Sequence, residues 1–125
     1  MHASIQPTES ELEILQILWD KGPSSVRSIN DQLNAYREVG YTTTLKIMQI
    51  MTEKGLTSRD TSARSHIYNA AVLESNAKNN LLNRFINSTF KGSASQLVMQ
   101  VLGHDGTSVE ELEKIKAIIS NYENQ

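Results

Sequence analysis

The sequence predicts a mainly α fold with one small β-hairpin: three helices, the hairpin, then three further helices. Three observations predict it. Apolar residues recur at helical spacing over most of the chain. Both prolines, Pro7 and Pro23, lie in its first quarter. One stretch, residues 56–69, changes character and reads as two short strands around a polar turn.

The first helix opens at Thr8-Glu9-Ser10-Glu11, a capping box in which the Thr oxygen takes an orphan amide and the Glu reaches back. Leu12, Ile14, Leu15, Ile17, Leu18 and Trp19 form its apolar stripe. Lys21-Gly22-Pro23 ends it with a cation, a glycine stop and a proline that cannot continue. The second helix starts near Ser24 or Ser25, with Val26, Ile29, Leu33 and Tyr36 recurring on one face. After Glu38-Val39-Gly40 the third helix runs from Tyr41 to Lys54 and stops at Gly55.

Leu56-Thr57-Ser58-Arg59-Asp60 and Ser65-His66-Ile67-Tyr68-Asn69 are the expected strands, with Thr61-Ser62-Ala63-Arg64 as the turn. From Glu74 the pattern is helical again, with Ala77, Leu81, Leu82, Phe85, Ile86 and Phe90 in one stripe until Gly92 breaks it. Leu97, Val98, Val101 and Leu102 belong to a shorter helix ended by Gly103, and Asp105-Gly106 marks a turn. Ser108-Val109-Glu110-Glu111 is a second capping box, and Leu112, Ile115, Ile119 and Tyr122 share a face of the last helix.

The chain therefore divides near residue 71. Residues 1–71 read as helix, helix, helix and hairpin, the order of a winged helix-turn-helix. Residues 72–125 read as three helices whose stripes are too wide for so short a segment to bury alone. A second copy of the chain is the simplest cover, through Leu81, Leu82, Phe85, Ile86, Phe90, Leu97, Val101, Leu112, Ile115 and Ile119. Packing of these stripes back onto the first domain is the competing arrangement.

In a winged helix the third helix enters the major groove and the hairpin touches the backbone or the minor groove. A helical wheel puts Thr44, Ile47, Met48 and Met51 on the core side, with Leu45 at the edge, and Thr42, Thr43, Lys46, Gln49, Ile50 and Glu53 outside. Lys46 can reach guanine or a phosphate, Gln49 can pair bidentately with adenine, and Ile50 can pack on thymine methyls. Thr42 and Thr43, with the free amides of the helix start, can hold phosphate. Arg59, Arg64 and His66 add donors on the hairpin. The same polar residues would also suit an ordinary solvated face, on which Glu53 repels phosphate.

Charge is distributed accordingly. The net charge is -2. Residues 1–40 hold three basic and six acidic side chains, whereas residues 41–70 hold Lys46, Lys54, Arg59 and Arg64 against Glu53 and Asp60. A local positive patch still steers a phosphate backbone, because distant charges are screened. With 38% hydrophobic residues, no long apolar run and no basic-then-apolar leader at Met1-His2-Ala3-Ser4, the expectation is a soluble, cytoplasmic protein.

Catalysis has no constellation behind it. The absence of cysteine excludes disulfides, thiolate metal sites and cysteine nucleophiles. His2, His66 and His104 lie far apart, outside any metal-binding spacing. Ser93 follows Gly92 without a GxSxG context, and Glu110-Glu111 is accounted for by helix capping. No enzyme activity, metal or cofactor is expected.

Several of these segments together carry a family resemblance. Thr8-Glu9-Ser10-Glu11-Leu12-Glu13-Ile14-Leu15 with Leu18-Trp19 and Gly22-Pro23 resembles the opening of the penicillinase-repressor family, BlaI/MecI/CopY. Tyr41-Thr42-Thr43, Glu53-Lys54-Gly55-Leu56, Arg64 with Tyr68, Phe90-Lys91-Gly92-Ser93 with Leu97-Val98, and Ser108-Val109-Glu110-Glu111-Leu112 are similar to its later segments, in order. The resemblance implies a homodimeric transcriptional repressor, with a winged helix on palindromic operators and C-terminal helices that dimerise. In the β-lactam-responsive members a membrane metalloprotease sensor triggers cleavage at an Asn-Phe pair, where this chain has Gln100-Val101. The copper-responsive branch uses a cysteine cluster, which is excluded here. Ile50 stands where an Arg is common, so the operator is expected to differ from those known for the family. The alternative function is a winged helix that binds another protein without specific DNA binding.

Overall fold

In a computed structural model that describes residues 6–125, Thr8 caps α1 (Glu9–Lys21) through the expected capping box. Its Oγ1 accepts the Glu11 amide at 3.2 Å, and the Thr8 amide donates to Glu11 Oε1 at 2.9 Å. The readings on Met1-His2-Ala3-Ser4, including the place of His2 outside any metal-binding spacing, lie outside the described residues. Gly22, at φ +85°, ends the helix and its amide donates to the Leu18 carbonyl.

The chain then makes a two-residue strand, β1 (Ser24–Ser25), and enters α2 (Val26–Leu33), with Ser25 as the N-cap. The expected helical continuation to Tyr36 does not occur: α2 stops at Leu33 and Tyr36 is largely solvent-exposed. Asn34 takes over there. Its Nδ2 donates to the carbonyls of Asn30 and Val39, and its Oδ1 accepts the Val39 amide. A side chain that satisfies backbone groups so fully competes successfully with another helical turn.

The helix α3 (Tyr41–Lys54) ends in a Schellman motif at Gly55, with the Leu56 amide bonded to the Met51 carbonyl at 2.9 Å. The hairpin follows as β2 (Thr57–Asp60) and β3 (Ile67–Ala70), joined by an irregular turn that contains Ser65 and His66. Both strands start later than expected. Leu56 is drawn into the core instead, almost fully buried. The sheet has three strands in the order β1-β3-β2, all antiparallel, with Ser24 opposite Tyr68 and Arg59 opposite Tyr68 from the other side.

One core unites these elements: Ile14, Leu15, Leu18, Val26, Ile29, Leu33, Met48, Met51, Leu56 and Tyr68. Burying each large apolar side chain contributes about 1.5–3 kcal/mol. Trp19 lies at the edge and donates its indole N–H to the Val72 carbonyl at 3.0 Å, tying α1 to the segment after the sheet. The turn between α2 and α3 is fixed by Asn30, whose Nδ2 reaches the Val39 carbonyl at 3.1 Å and the fully buried Thr44 Oγ1 at 2.8 Å.

The chain up to Leu81 forms one compact unit and Leu82–Gln125 a second. The second contains the end of α4 (Glu74–Thr89), α5 (Ala94–Gly103) and α6 (Val109–Glu123). Lys91 and Gly92, both at positive φ, separate α4 from α5. Ser108 caps α6 by accepting the Glu111 amide, but the Ser108 amide does not donate to the Glu111 carboxylate in return, so the expected second capping box is half formed. No residue of α5 or α6 is buried. Phe85 and Phe90 meet edge to face with ring centroids 5.4 Å apart.

Candidate nucleic-acid interface

The helix α3 has two unlike sides. Thr44, Met48 and Met51 are fully buried, with Leu45 and Ile47 packed at the core margin. Thr42, Thr43, Lys46, Gln49, Ile50 and Glu53 are all exposed. The helical wheel read from sequence therefore separates the residues as the fold does. Gly40, the N-cap, offers no side-chain hydrogen bond, which leaves the first-turn amides of α3 without a side-chain cap.

Two ties hold this helix at its ends. At its start, Thr44 receives the Asn30 amide and donates to the Gly40 carbonyl. At its end, Lys54 Nζ lies between the two oxygens of the buried Glu11 carboxylate. The outer face is thus set by contacts on the inner face and not by its own side chains.

Between β2 and β3 the turn is shaped by Asp60, whose Oδ1 accepts the Ser62 amide at 2.9 Å. That backbone hydrogen bond, aided by the Ser62 side chain, holds the Asp60 carboxyl below the usual carboxylate range. Arg59 is exposed on β2. Arg64 and His66 come off the turn and line an open cleft of about 630 Å³, together with Arg27, Ser28 and Asp31 of α2 and Tyr41 and Leu45 of α3. The structure brings Arg64 and His66 together with the start of α3. Arg59, Lys46, Gln49 and Ile50 do not line that cleft.

Arg27 was not singled out by the sequence reading. Its guanidinium carbon sits 5.2 Å from the centre of the Tyr41 ring, a cation–π contact between α2 and the first residue of α3. A signal was available: a cation in the first turn of a helix opposes the helix dipole.

The cations of the first unit fall into two sets. Lys21, Arg37, Lys54 and Lys78 each have a carboxylate within 4 Å. Arg27, Lys46, Arg59 and Arg64 have none among the described residues. The unpaired set lies on the first turn of α2, the outer face of α3 and the hairpin. No group of three or more His, Asp or Glu comes together in a metal-binding arrangement among the described residues. No helix among them is long and apolar enough to cross a membrane.

In the second unit the residues expected at a dimer contact differ in exposure. Leu82, Phe85, Val101 and Ile119 are exposed, and Ile86, Phe90, Leu97, Leu112 and Ile115 are half-buried. Leu81, also half-buried, closes the first unit. Gln100 and Val101 are exposed on α5.

Comparison with known proteins agrees with this architecture. The penicillinase repressor family profile matches residues 7–121. The chain is 25% identical over 113 residues to the methicillin resistance regulatory protein MecI of Mammaliicoccus sciuri, covering 90% of this chain and 92% of that protein. It is 20% identical over 117 residues to the penicillinase repressor of Staphylococcus aureus, covering 94% and 93%. With the penicillinase repressor of Bacillus licheniformis it shares 20% over 120 residues, covering 96% and 94%. A match over nearly the whole length, in a chain that folds as three helices, a hairpin and three more helices, means that the chain belongs to the penicillinase repressor family of transcriptional regulators.

Proposed function

We propose that the chain is a homodimeric repressor that binds a pseudo-palindromic operator in double-stranded DNA. Residues 1–71 act as the DNA-binding domain, with α3 in the major groove and the hairpin on the backbone, and residues 72–125 as the dimerisation domain. The observation that carries this reading is the unpaired set Arg27, Lys46, Arg59 and Arg64, while the remaining cations of the first unit are neutralised locally. Unpaired cations on one helix face and its flanking hairpin are the electrostatic footprint of a phosphate backbone.

Dimerisation is supported by the second unit, which leaves Leu82, Phe85, Val98, Met99, Ile118 and Ile119 exposed and has no buried residue in α5 or α6. Apolar faces of that extent on so short a segment call for a partner, and a second copy is the partner always present. Two α3 helices would then occupy successive major grooves roughly 34 Å apart. Bound over a promoter, such a dimer blocks polymerase. Relief by proteolysis at or near Gln100-Val101, triggered by a membrane metalloprotease sensor, is part of the same reading and rests on the family alone.

The test is selection of bound fragments from the source genome at two salt concentrations. Enrichment of a pseudo-palindrome with half-sites one helical turn apart is the expected result. A second reading, a winged helix that binds a protein, draws on the exposed Ile50 and Glu53 of α3. A folded, dimeric sample that enriches no DNA at low salt would replace the first reading with the second.

A further inference from the structure

We infer that the cleft centred on Arg27 is a seat for one phosphodiester of the DNA backbone, placed beside the groove that α3 enters. This rests on the repressor reading and adds to it a site on α2. The cleft is bounded by three elements: Ser25, Arg27, Ser28 and Asp31 from β1 and α2, Tyr41 and Leu45 from α3, and Arg64, Ser65 and His66 from the hairpin turn. Two guanidinium groups and an imidazole are among the side chains that line it.

The site does not rest on the start of α2, where Ser25 Oγ already accepts the Ser28 amide at 3.2 Å. The guanidinium carries the site. Arg27 stands in the first turn of α2, where the helix dipole disfavours a cation, and no carboxylate lies within 4 Å of it among the described residues. Asp31, one turn further along α2, also lines the cleft but forms no ion pair with Arg27. The Tyr41 ring holds the guanidinium instead, at 5.2 Å. An aromatic face orients a guanidinium without using its N–H donors, which stay available for a bidentate contact to phosphate oxygens.

This placement has a consequence for recognition. Tyr41 is the first residue of α3, so a phosphate held by Arg27 sets the position of the strand at the point where the helix enters the groove. The contact fixes register without reading sequence.

The experiment measures the affinity of the full-length dimer for a selected operator and for an unrelated duplex of equal length, across a range of sodium chloride concentrations. The proteins are the parent, Arg27→Gln and Arg27→Lys, each checked for an unchanged urea midpoint. Arg27→Gln should weaken binding to both duplexes by the same factor. It should also lower the slope of log affinity against log salt by about 0.9 for each half-site, or roughly 1.8 for the dimer. Arg27→Lys should keep the slope while losing part of the affinity, because it keeps the charge and loses the bidentate fork. An unchanged slope in Arg27→Gln, with the parent binding normally, overturns the phosphate seat and leaves the repressor reading intact. A loss confined to the operator also overturns it, since Arg27 would then read a base. A parent that binds neither duplex at low salt overturns the repressor reading and this inference with it.

Discussion

Lys54 Nζ sits 2.8 and 3.0 Å from the two carboxylate oxygens of Glu11, which is almost completely buried. The same carboxylate closes the capping box of α1 by accepting the Thr8 amide. One side chain therefore caps the first helix and anchors the C-terminal end of the third. Removing it leaves the Thr8 amide without its partner and the Lys54 ammonium, which is about one-third exposed, without a counter-ion. Glu11→Ala should lower unfolding stability by about 2 kcal/mol, below the full cost for a deeply buried pair because Lys54 reaches solvent. Chemical denaturation of Glu11→Ala, Lys54→Ala and the double variant checks it. Strictly additive losses would show that the two groups do not couple.

The exposed face of α3 gives a prediction about sequence reading. Gln49→Ala and Lys46→Ala should cost about 1–3 kcal/mol on the operator and much less on unrelated DNA. Arg64→Ala, on the hairpin turn, should weaken both equally and flatten the salt dependence. Binding titrations on matched and mismatched duplexes distinguish the two behaviours. If Gln49→Ala loses the same affinity on every duplex, Gln49 does not read a base.

The uncovered apolar face of the second unit gives a prediction about assembly. Phe85 is about half exposed in the single chain. In a symmetric dimer each substitution acts twice, so Phe85→Asp should raise the dimer dissociation constant at least about a hundredfold. Sedimentation equilibrium should show the variant as a monomer where the parent is a dimer. A parent that stays monomeric across the micromolar range would remove dimerisation from the proposed function.

The Asp60 carboxyl gives a prediction about pH. Its bond to the Ser62 amide lowers its folded pKa. The stabilisation of the turn is therefore fully present above the ordinary aspartate value of about 3.9 and is lost as pH falls through the lower folded value. The Ser62 amide resonance, followed by NMR during acid titration, should move with a midpoint below the ordinary value. Asp60→Ala should abolish that transition. A midpoint at the ordinary value would mean that the bond does not persist in solution.

Much of the first unit was legible in the sequence because its signals are local. The Thr8–Glu11 box, the Gly22 and Gly55 stops and the Thr44–Met48–Met51 spacing each act within a few residues. What the sequence did not disclose depends on distant partners. β1 is two serines without strand propensity, ordered because β3 offers them an edge. Tyr36 has helical spacing, yet Asn34 ends α2 before reaching it. The outward face of α3 followed from the wheel, whereas Arg27 lines the cleft only because the fold sets Tyr41 and the hairpin turn beside it.

Gly55, at φ +84°, is the whole joint between α3 and the hairpin, since Leu56 is already locked in the core. With Met51 and Leu56 held in one core on either side of it, the two elements are coupled. A tilt of α3 would therefore carry the hairpin with it, like the two arms of a bell crank. In the repressor proposed above, re-aiming α3 within the groove would also carry the hairpin off the backbone. On the same proposal, new specificities come from exchanging the side chains on α3 while its axis stays fixed. Under that proposal, the room for change lies in the chemistry of the helix surface and not in the angle of the helix.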